Sequence, residues 1–267
     1  MNSEQALIEN SRTALVTLSD EGAALAERLG FVMKNRVVFL HSNVDPRFSG
    51  ERFYRLFDIS ENIFESFRNI IFIGPTGIAV RAFGCLASRK TTDPAIVVAD
   101  VCARYVISLL SGHEGGANEL AVFVANRLDA EPVITTTTEA RKDLVVGVGC
   151  RKGVSSSVII EAITSTLALE RLDLSRVRLL ASADIKKDEV GLIEASRLLA
   201  IPLRFISSME INRKHYAFER SDLVYSQFGI PAVAEPTAIL AGRRTELIVP
   251  KRKSNGVTVA VAKENCT

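Results

Sequence analysis

Two α/β domains are predicted by three features of the chain. Short apolar, often β-branched runs alternate with helical stretches along the whole sequence, the pattern of parallel strands covered by helices. Several of these runs end in glycine-bearing turns that open a helix, as strand-to-helix connections do in such folds. One polar stretch, Thr135–Asp143, breaks the alternation just before a new strand and reads as an interdomain connection. The expected domains are residues 1–142 and 143–267, each a three-layer unit with a mostly parallel sheet covered by helices.

In the first domain the predicted strands are 14–18, 37–40, 70–73, 95–99, 106–109 and 132–135, and the predicted helices are 22–29, 62–68, 77–87 and 115–128. In the last of these helices Leu120, Val124 and Leu128 fall on one face, as a helix packed on a sheet requires. The second domain restarts with a strand at 144–148, a glycine-bearing turn and a helix at 155–169. Strands at 177–181 and 203–206, helices near 189–199 and 235–241, and strands at 247–249 and 257–262 complete it.

The composition narrows the function. A chain of 267 residues with 47% hydrophobic and 24% charged residues is ordinary for a packed soluble protein. Its 33 Lys and Arg against 31 Asp and Glu give a net charge of +2, too balanced for a protein that coats nucleic acid. The four cysteines, Cys85, Cys102, Cys150 and Cys266, show no C-x-x-C spacing, so neither a disulfide framework nor a zinc knuckle is expected. The first residues lack the pattern of a signal peptide and no apolar run approaches a membrane span, which makes the cytoplasm the expected location. With only His41, His113 and His215, no protein-bound metal is expected.

Three turns carry the candidate chemistry. The first, Gly74-Pro-Thr76-Gly77, follows a strand and opens a helix bearing Arg81; it is either a cradle for a carboxylate or phosphate, or simply a helix start. The second runs Ser111-Gly112-His113-Glu114-Gly115-Gly116-Ala117-Asn118-Glu119. At the carboxyl end of a strand it gathers a histidine, able to titrate near neutral pH, with two glutamates that could orient it or act as a base. The third, Gly147-Val-Gly149-Cys150-Arg151-Lys152-Gly153-Val-Ser155, fails the dinucleotide fingerprint, because Lys152 stands where its third glycine would be. An anion site of backbone N–H groups with Arg151 or Lys152 fits it better. Cys150 is either a nucleophile at a helix start or, more commonly for the residue type, a buried inert thiol. The polar loop Lys90-Thr-Thr-Asp93-Pro94 either faces the same cleft as the second turn or is a plain loop. Lys186, in the Asp184–Glu189 segment, and Glu235, at a helix start, are further candidates.

Taken in order, these segments resemble a known family. Val80-Arg-Ala, Lys90-Thr-Thr-Asp-Pro-Ala-Ile-Val-Val and the run Val106-Ile-Ser-Leu-Leu-Ser-Gly-His-Glu-Gly-Gly-Ala-Asn-Glu-Leu-Ala121 look like the amino-terminal domain of the cobalamin biosynthesis protein CbiG family. Val146-Gly-Val-Gly-Cys-Arg-Lys-Gly153, Asp184-Ile-Lys-Lys-Asp-Glu189, Ile201-Pro-Leu-Arg-Phe205 and Val233-Ala-Glu-Pro236 resemble its carboxy-terminal domain. The fuller members of that family carry a middle region between the two domains, which is missing or vestigial here.

The resemblance implies cobalt-precorrin-5A hydrolase activity in anaerobic cobalamin biosynthesis. Water opens the δ-lactone, acetaldehyde leaves and cobalt-precorrin-5B remains. It implies no separate cofactor, since the cobalt belongs to the corrinoid substrate, and no nucleic-acid or membrane partner. A homodimer and transient contacts with neighbouring pathway enzymes are compatible with it. Such chemistry needs a base, oxyanion donors and cations for the ring carboxylates. His113 with Glu114 or Glu119 suits the first role, and backbone N–H groups of Gly112–Gly116 or Gly147–Gly153 suit the second. Arg81, Lys90, Arg151 and Lys152 suit the third, the two domains being expected to face each other across the ligand. A non-catalytic corrinoid carrier is the alternative. A nucleotide-dependent enzyme ranks behind both, for want of a Walker A or clean dinucleotide motif.

Overall fold

The computed structural model describes residues 8, 10–89, 91–112, 114–213 and 221–265. The chain folds as two compact units, Met1–Thr136 and Thr137–Thr267. The division precedes the boundary expected at 142/143 by one short helix, Thr137–Ala140.

The first unit runs β1 (Thr13–Thr17), α1 (Asp20–Gly30), β2 (Arg36–His41), β3 (Glu51–Phe53), α2 (Leu56–Ser66), β4 (Asn69–Ile73), α3 (Thr76–Phe83), β5 (Ala95–Ala99), β6 (Tyr105–Leu110), α4 (Ala117–Leu128) and β7 (Glu131–Val133). Its strands form one sheet in the order β3-β2-β1-β4-β5-β6-β7. Every residue of β1, β4 and β5 is buried, which explains their unbroken apolar runs: strands covered on both faces have no polar side to alternate with. Leu15 packs on one face with Leu25 and Leu29 of α1 and Leu120 and Val124 of α4. Ala14 and Val16 face the other way, towards Ile63 of α2 and Phe83 of α3. Ser19 caps α1 by accepting the Gly22 N–H at 3.3 Å.

All neighbouring strands in this sheet are parallel except β5 and β6. Asp100–Arg104 joins them, far short of the roughly dozen residues a parallel crossover needs. The Asp100 carboxylate accepts the N–H groups of Cys102, Arg104 and Tyr105 at 3.0, 2.8 and 2.7 Å and so holds the reversal. As a result β6 ends beside the start of β5, with Leu110 opposite Ile96. The turn that follows β6 therefore lies at the opposite end of the sheet from the turns that follow β1, β4 and β5.

After α5 (Thr137–Ala140), the second unit runs β8 (Leu144–Cys150), α6 (Ser156–Leu169), β9 (Val177–Ala183), α7 (Val190–Leu199), β10 (Leu203–Ile206), α8 (Ser208–Arg213), α9 (Asp222–Phe228), α10 (Ala234–Ala241), β11 (Thr245–Ser254) and β12 (Val257–Glu264). The sheet order is β10-β9-β8-β12-β11, with β10, β9 and β8 parallel and the β11–β12 hairpin antiparallel to β8. The hairpin turns at Asn255-Gly256, whose φ values of 45° and 79° are those an Asn-Gly pair accepts. Val146 and Val148 pack with Ile159 and Ile163 of α6 and Leu192 of α7. On the other face Val145, Leu179 and Ala181 meet Ile211 of α8 and Ala241 of α10. Each unit thus has three layers, as expected. Among the described residues no helix is long and apolar enough to cross a membrane.

Candidate functional site

The predicted residues of the first unit fall at two ends of its sheet. Gly74, Thr76, Gly77 and Arg81 follow β4, at the point where strand order reverses between β1 and β4, the usual ligand crevice of such a sheet. Gly74 donates its N–H to Ala99 O at 2.9 Å, tying this turn to β5. The 111–119 turn and the loop before β5 share the other end. Because it follows a strand, the 111–119 turn was expected at a ligand crevice; the reversal of β6 puts it away from the β1/β4 crevice.

Within that turn the backbone is largely committed. Ser111, at φ 60°, offers its carbonyl to the Ala117 N–H at 3.1 Å, and Gly112 offers its own to the Asn118 N–H at 2.9 Å. These two bonds occupy the Ala117 and Asn118 N–H groups at the start of α4, so neither of them is open to an oxyanion. Asn118 is buried and braces the turn, accepting from Ser108 Oγ at 2.8 Å and donating to Thr136 Oγ1 at 3.0 Å. Gly115 is buried and its carbonyl accepts from Arg68 Nη2 at 3.2 Å, whereas Gly116 adopts the left-handed φ of 90°. Glu114 is exposed, and Glu119 is half-buried in the first turn of α4. Asp93, buried in the neighbouring loop, accepts the N–H groups of Ser88 and Arg89 at 2.7 and 2.8 Å; its role there is to hold the loop. His113 and Lys90 lie outside the described residues.

In the second unit the predicted residues converge. A cavity of about 820 Å³, within the range of ligand pockets, is lined by Gly149, Cys150, Arg151, Lys152, Lys186 and Glu235. The ends of β8 and β9, the start of α10 and the β11–β12 hairpin bring them together. Ser155 does not line it; it is exposed at the N-terminus of α6, its hydroxyl 3.0 Å from Ser157 Oγ. The hairpin adds Lys251 and Lys253, which the sequence pattern alone did not reveal because the apolar run of that strand ends at Val249. The available signal was the Lys251-Arg-Lys253 run directly before the Asn-Gly turn.

The amides expected to cradle an anion at Gly147–Gly153 are largely used elsewhere. Gly147 and Gly149 sit inside β8, opposite Ala260 and Thr258 of β12. Arg151 donates its N–H to Gly256 O at 2.9 Å, and Gly153 donates to Glu189 Oε2 at 3.1 Å. Positive charge at this site therefore comes chiefly from side chains. Lys186 Nζ stands 3.2 Å from Glu189 Oε1, and Arg151, Lys152 and Lys253 are exposed without an ion pair among the described residues.

Two cavity groups have distinctive chemistry. Burial pushes the Cys150 thiol above its ordinary range, partly offset by the nearby Lys186, so this cysteine is not the acidic thiol that a nucleophile requires. Glu235 is only 6% exposed. Its Oε1 accepts the Lys251 N–H at 3.1 Å, while Oε2, shielded from solvent, has no hydrogen-bond partner. A buried acceptor left unpaired costs roughly 1–3 kcal/mol. No group of His, Cys, Asp and Glu that could hold a metal ion occurs among the described residues.

Comparison with known proteins covers both units. Residues 58–139 match the family described as Cobalamin synthesis G N-terminal, and residues 144–262 match Cobalamin synthesis G C-terminus. The chain is 26% identical to the cobalt-precorrin-5A hydrolase of Priestia megaterium over 352 residues, covering 93% of this chain and 94% of the relative. It is 25% identical to the cobalt-precorrin-5A hydrolase of Salmonella typhimurium, over 93% and 96%. Protein CobE of a Sinorhizobium species is 30% identical over 128 residues, 47% of this chain and 83% of its own. A crystal structure of CobE, a protein from the cobalamin biosynthetic pathway, superposes with a TM-score of 0.44 at 27% identity, covering 46% of this chain and 90% of that one.

Proposed function

The chain belongs to the CbiG family of cobalamin synthesis proteins, and we propose that it acts there as cobalt-precorrin-5A hydrolase. The observation that carries this reading is the match to proteins of that name over 93% of the chain and nearly all of their own length. The cavity of the second unit supports it, since its cationic rim suits a macrocycle that bears several carboxylates.

The proposed reaction is addition of water to the δ-lactone carbonyl, opening of the ring and release of acetaldehyde by carbon–carbon cleavage. His113, with Glu114 or Glu119, is proposed to move the protons. The amides before Ala117 would meet the oxyanion, and Arg151, Lys152 and Lys186 would hold ring carboxylates, with Lys90 as a further cation; Arg81, at the opposite end of its sheet from the 111–119 turn, drops out of this set. The reaction calls for no separate cofactor, the cobalt arriving inside the substrate, and we place it in the cytoplasm.

A second reading has its own support. The alignment with the Priestia hydrolase spans 352 residues against a chain of 267, so the relative carries a long stretch that this chain lacks. A non-catalytic corrinoid carrier would need less machinery. Anaerobic incubation with cobalt-precorrin-5A separates the two: the hydrolase releases acetaldehyde at catalytic turnover with loss of macrocycle mass, and the carrier binds saturably without release.

A further inference from the structure

The cationic cavity of the second unit carries a carboxylate that works against an anionic ligand. Glu189 lines it beside Arg151, Lys152 and Lys186, and by charge alone it lowers the attraction for a polyanion. Its contacts give it another use. Oε2 accepts the Gly153 N–H at 3.1 Å and Oε1 stands 3.2 Å from Lys186 Nζ, so one carboxylate ties the β8–α6 turn to the segment that follows β9. The Lys186 and Glu189 side chains are 12% and 14% exposed, where water and salt screen the pair little.

Glu189 is itself fixed in place. Its carbonyl accepts the Leu192 and Ile193 N–H groups at 3.1 and 3.2 Å at the start of α7. That start packs on the same turn through main chain: a Cβ on Gly191 would stand 1.9 Å from the Val154 carbonyl oxygen. At the other end of the turn the Arg151 N–H is held by Gly256 O of the hairpin at 2.9 Å. The Arg151–Gly153 segment is thus anchored twice, on the β11–β12 hairpin and on Glu189.

We infer that Glu189 is a positioning residue for ligand binding. It sets Lys186 and the Arg151–Gly153 turn in the arrangement that receives a polycarboxylated corrinoid, and this effect outweighs the repulsion of its own charge. The inference rests on the corrinoid reading for its ligand class and adds the residue that holds the cations in place.

The two effects of Glu189 have opposite signs, which makes the test sharp. Removing a mere negative charge would tighten the binding of a polyanion; removing a positioning residue weakens it. Calorimetric titration of the full chain with cobyrinic acid reads the affinity, and the melting temperature is read for each variant. Glu189→Ala, which releases both the turn and Lys186, is expected to weaken binding roughly tenfold or more, the usual worth of a charge-assisted hydrogen bond. Glu189→Gln is nearly isosteric. Its carbonyl oxygen can keep the Gly153 N–H while its NH₂ meets Lys186, donor against donor, so a smaller, several-fold loss is expected at an unchanged melting temperature. Lys186→Met supplies a readout that a merely structural role would not move. In that background Glu189→Gln should no longer weaken binding, because its effect runs through Lys186, whereas Glu189→Ala should still do so through the turn. Tighter or unchanged binding in either single variant, a Glu189→Gln loss that persists in the Lys186→Met background, or no uptake of cobyrinic acid by the wild type overturns the proposal. Acetaldehyde release from cobalt-precorrin-5A is scored separately: release by the wild type with affinity unmoved in Glu189→Ala sinks this inference alone, and the expected order of affinities without release sinks the hydrolase reading alone.

Discussion

Gly147 and Ala234 meet main chain to main chain: a Cβ on Gly147 would stand 1.9 Å from the Ala234 carbonyl oxygen. This close approach seats the start of α10 on β8 and thereby places Glu235 in the cavity wall. The contact cannot yield at a flexible side-chain tip, because both partners are backbone. Gly147→Ala is therefore expected to cost about 1–3 kcal/mol, as overpacking does, and to weaken corrinoid binding by shifting α10. Urea unfolding measures the first effect and titration the second; unchanged values of both would show that α10 is not seated by this contact.

Cys150→Ser should reduce turnover by no more than a few-fold, because burial raises the thiol and disfavours the thiolate. In alkylation followed by peptide mass analysis, Cys150 should react more slowly than the exposed Cys85 and Cys102, and its rate should climb only at pH above the ordinary thiol range. Complete loss of activity with the fold preserved would instead assign it a covalent role.

His113→Gln should lower acetaldehyde release by about 10²–10⁴-fold while leaving substrate binding intact, the range that general acid–base assistance contributes. Turnover near that of the wild type would remove His113 from the proton-transfer role. Parallel Glu114→Gln and Glu119→Gln variants would show which glutamate acts with it.

Asp143 is held below the usual carboxylate range by its hydrogen bonds with the Arg176 guanidinium, at 2.9 and 2.7 Å. A depressed folded value means that the pair stabilises the fold fully above the ordinary aspartate value, about 3.9, and stops doing so as pH falls through the folded value. Arg176 is 41% exposed, so solvent screening limits the contribution to about 1 kcal/mol or less. Asp143→Asn should show that deficit in urea unfolding at neutral pH and lose it in acid. A deficit that grows on acidification would contradict the assignment.

Much of this architecture was legible because the central strands are covered on both faces. A run such as Ile70–Ile73 or Ile96–Ala99 has no polar alternation to confuse with a helix; the first is followed by the glycine-bearing turn Gly74–Gly77 and the second by the short turn that Asp100 opens. The strand Glu51–Phe53 was not legible, since two of its three residues are charged and exposed at a sheet edge. The reversal of β6 is hidden within an alternation of strands and helices that suggests parallel strands throughout, although Asp100–Arg104 is too short for a crossover. The candidate site of the second unit came through as a set because Gly149–Lys152, Lys186 and Glu235 all lie at or just beyond the ends of strands and helices that meet at one place. What the sequence could not convey was the commitment of the glycine-turn amides. Whether the N–H of Gly153 faces a ligand or Glu189 depends on a side chain 36 positions away.

The most direct test of the hydrolase account is anaerobic incubation of the protein with cobalt-precorrin-5A in water enriched in a heavy oxygen isotope, followed by acetaldehyde trapping and mass analysis of the macrocycle. The account predicts acetaldehyde at many turnovers per chain and one heavy oxygen in the product, in the carboxylate freed from the lactone. Saturable binding with neither acetaldehyde nor heavy-oxygen incorporation would contradict it.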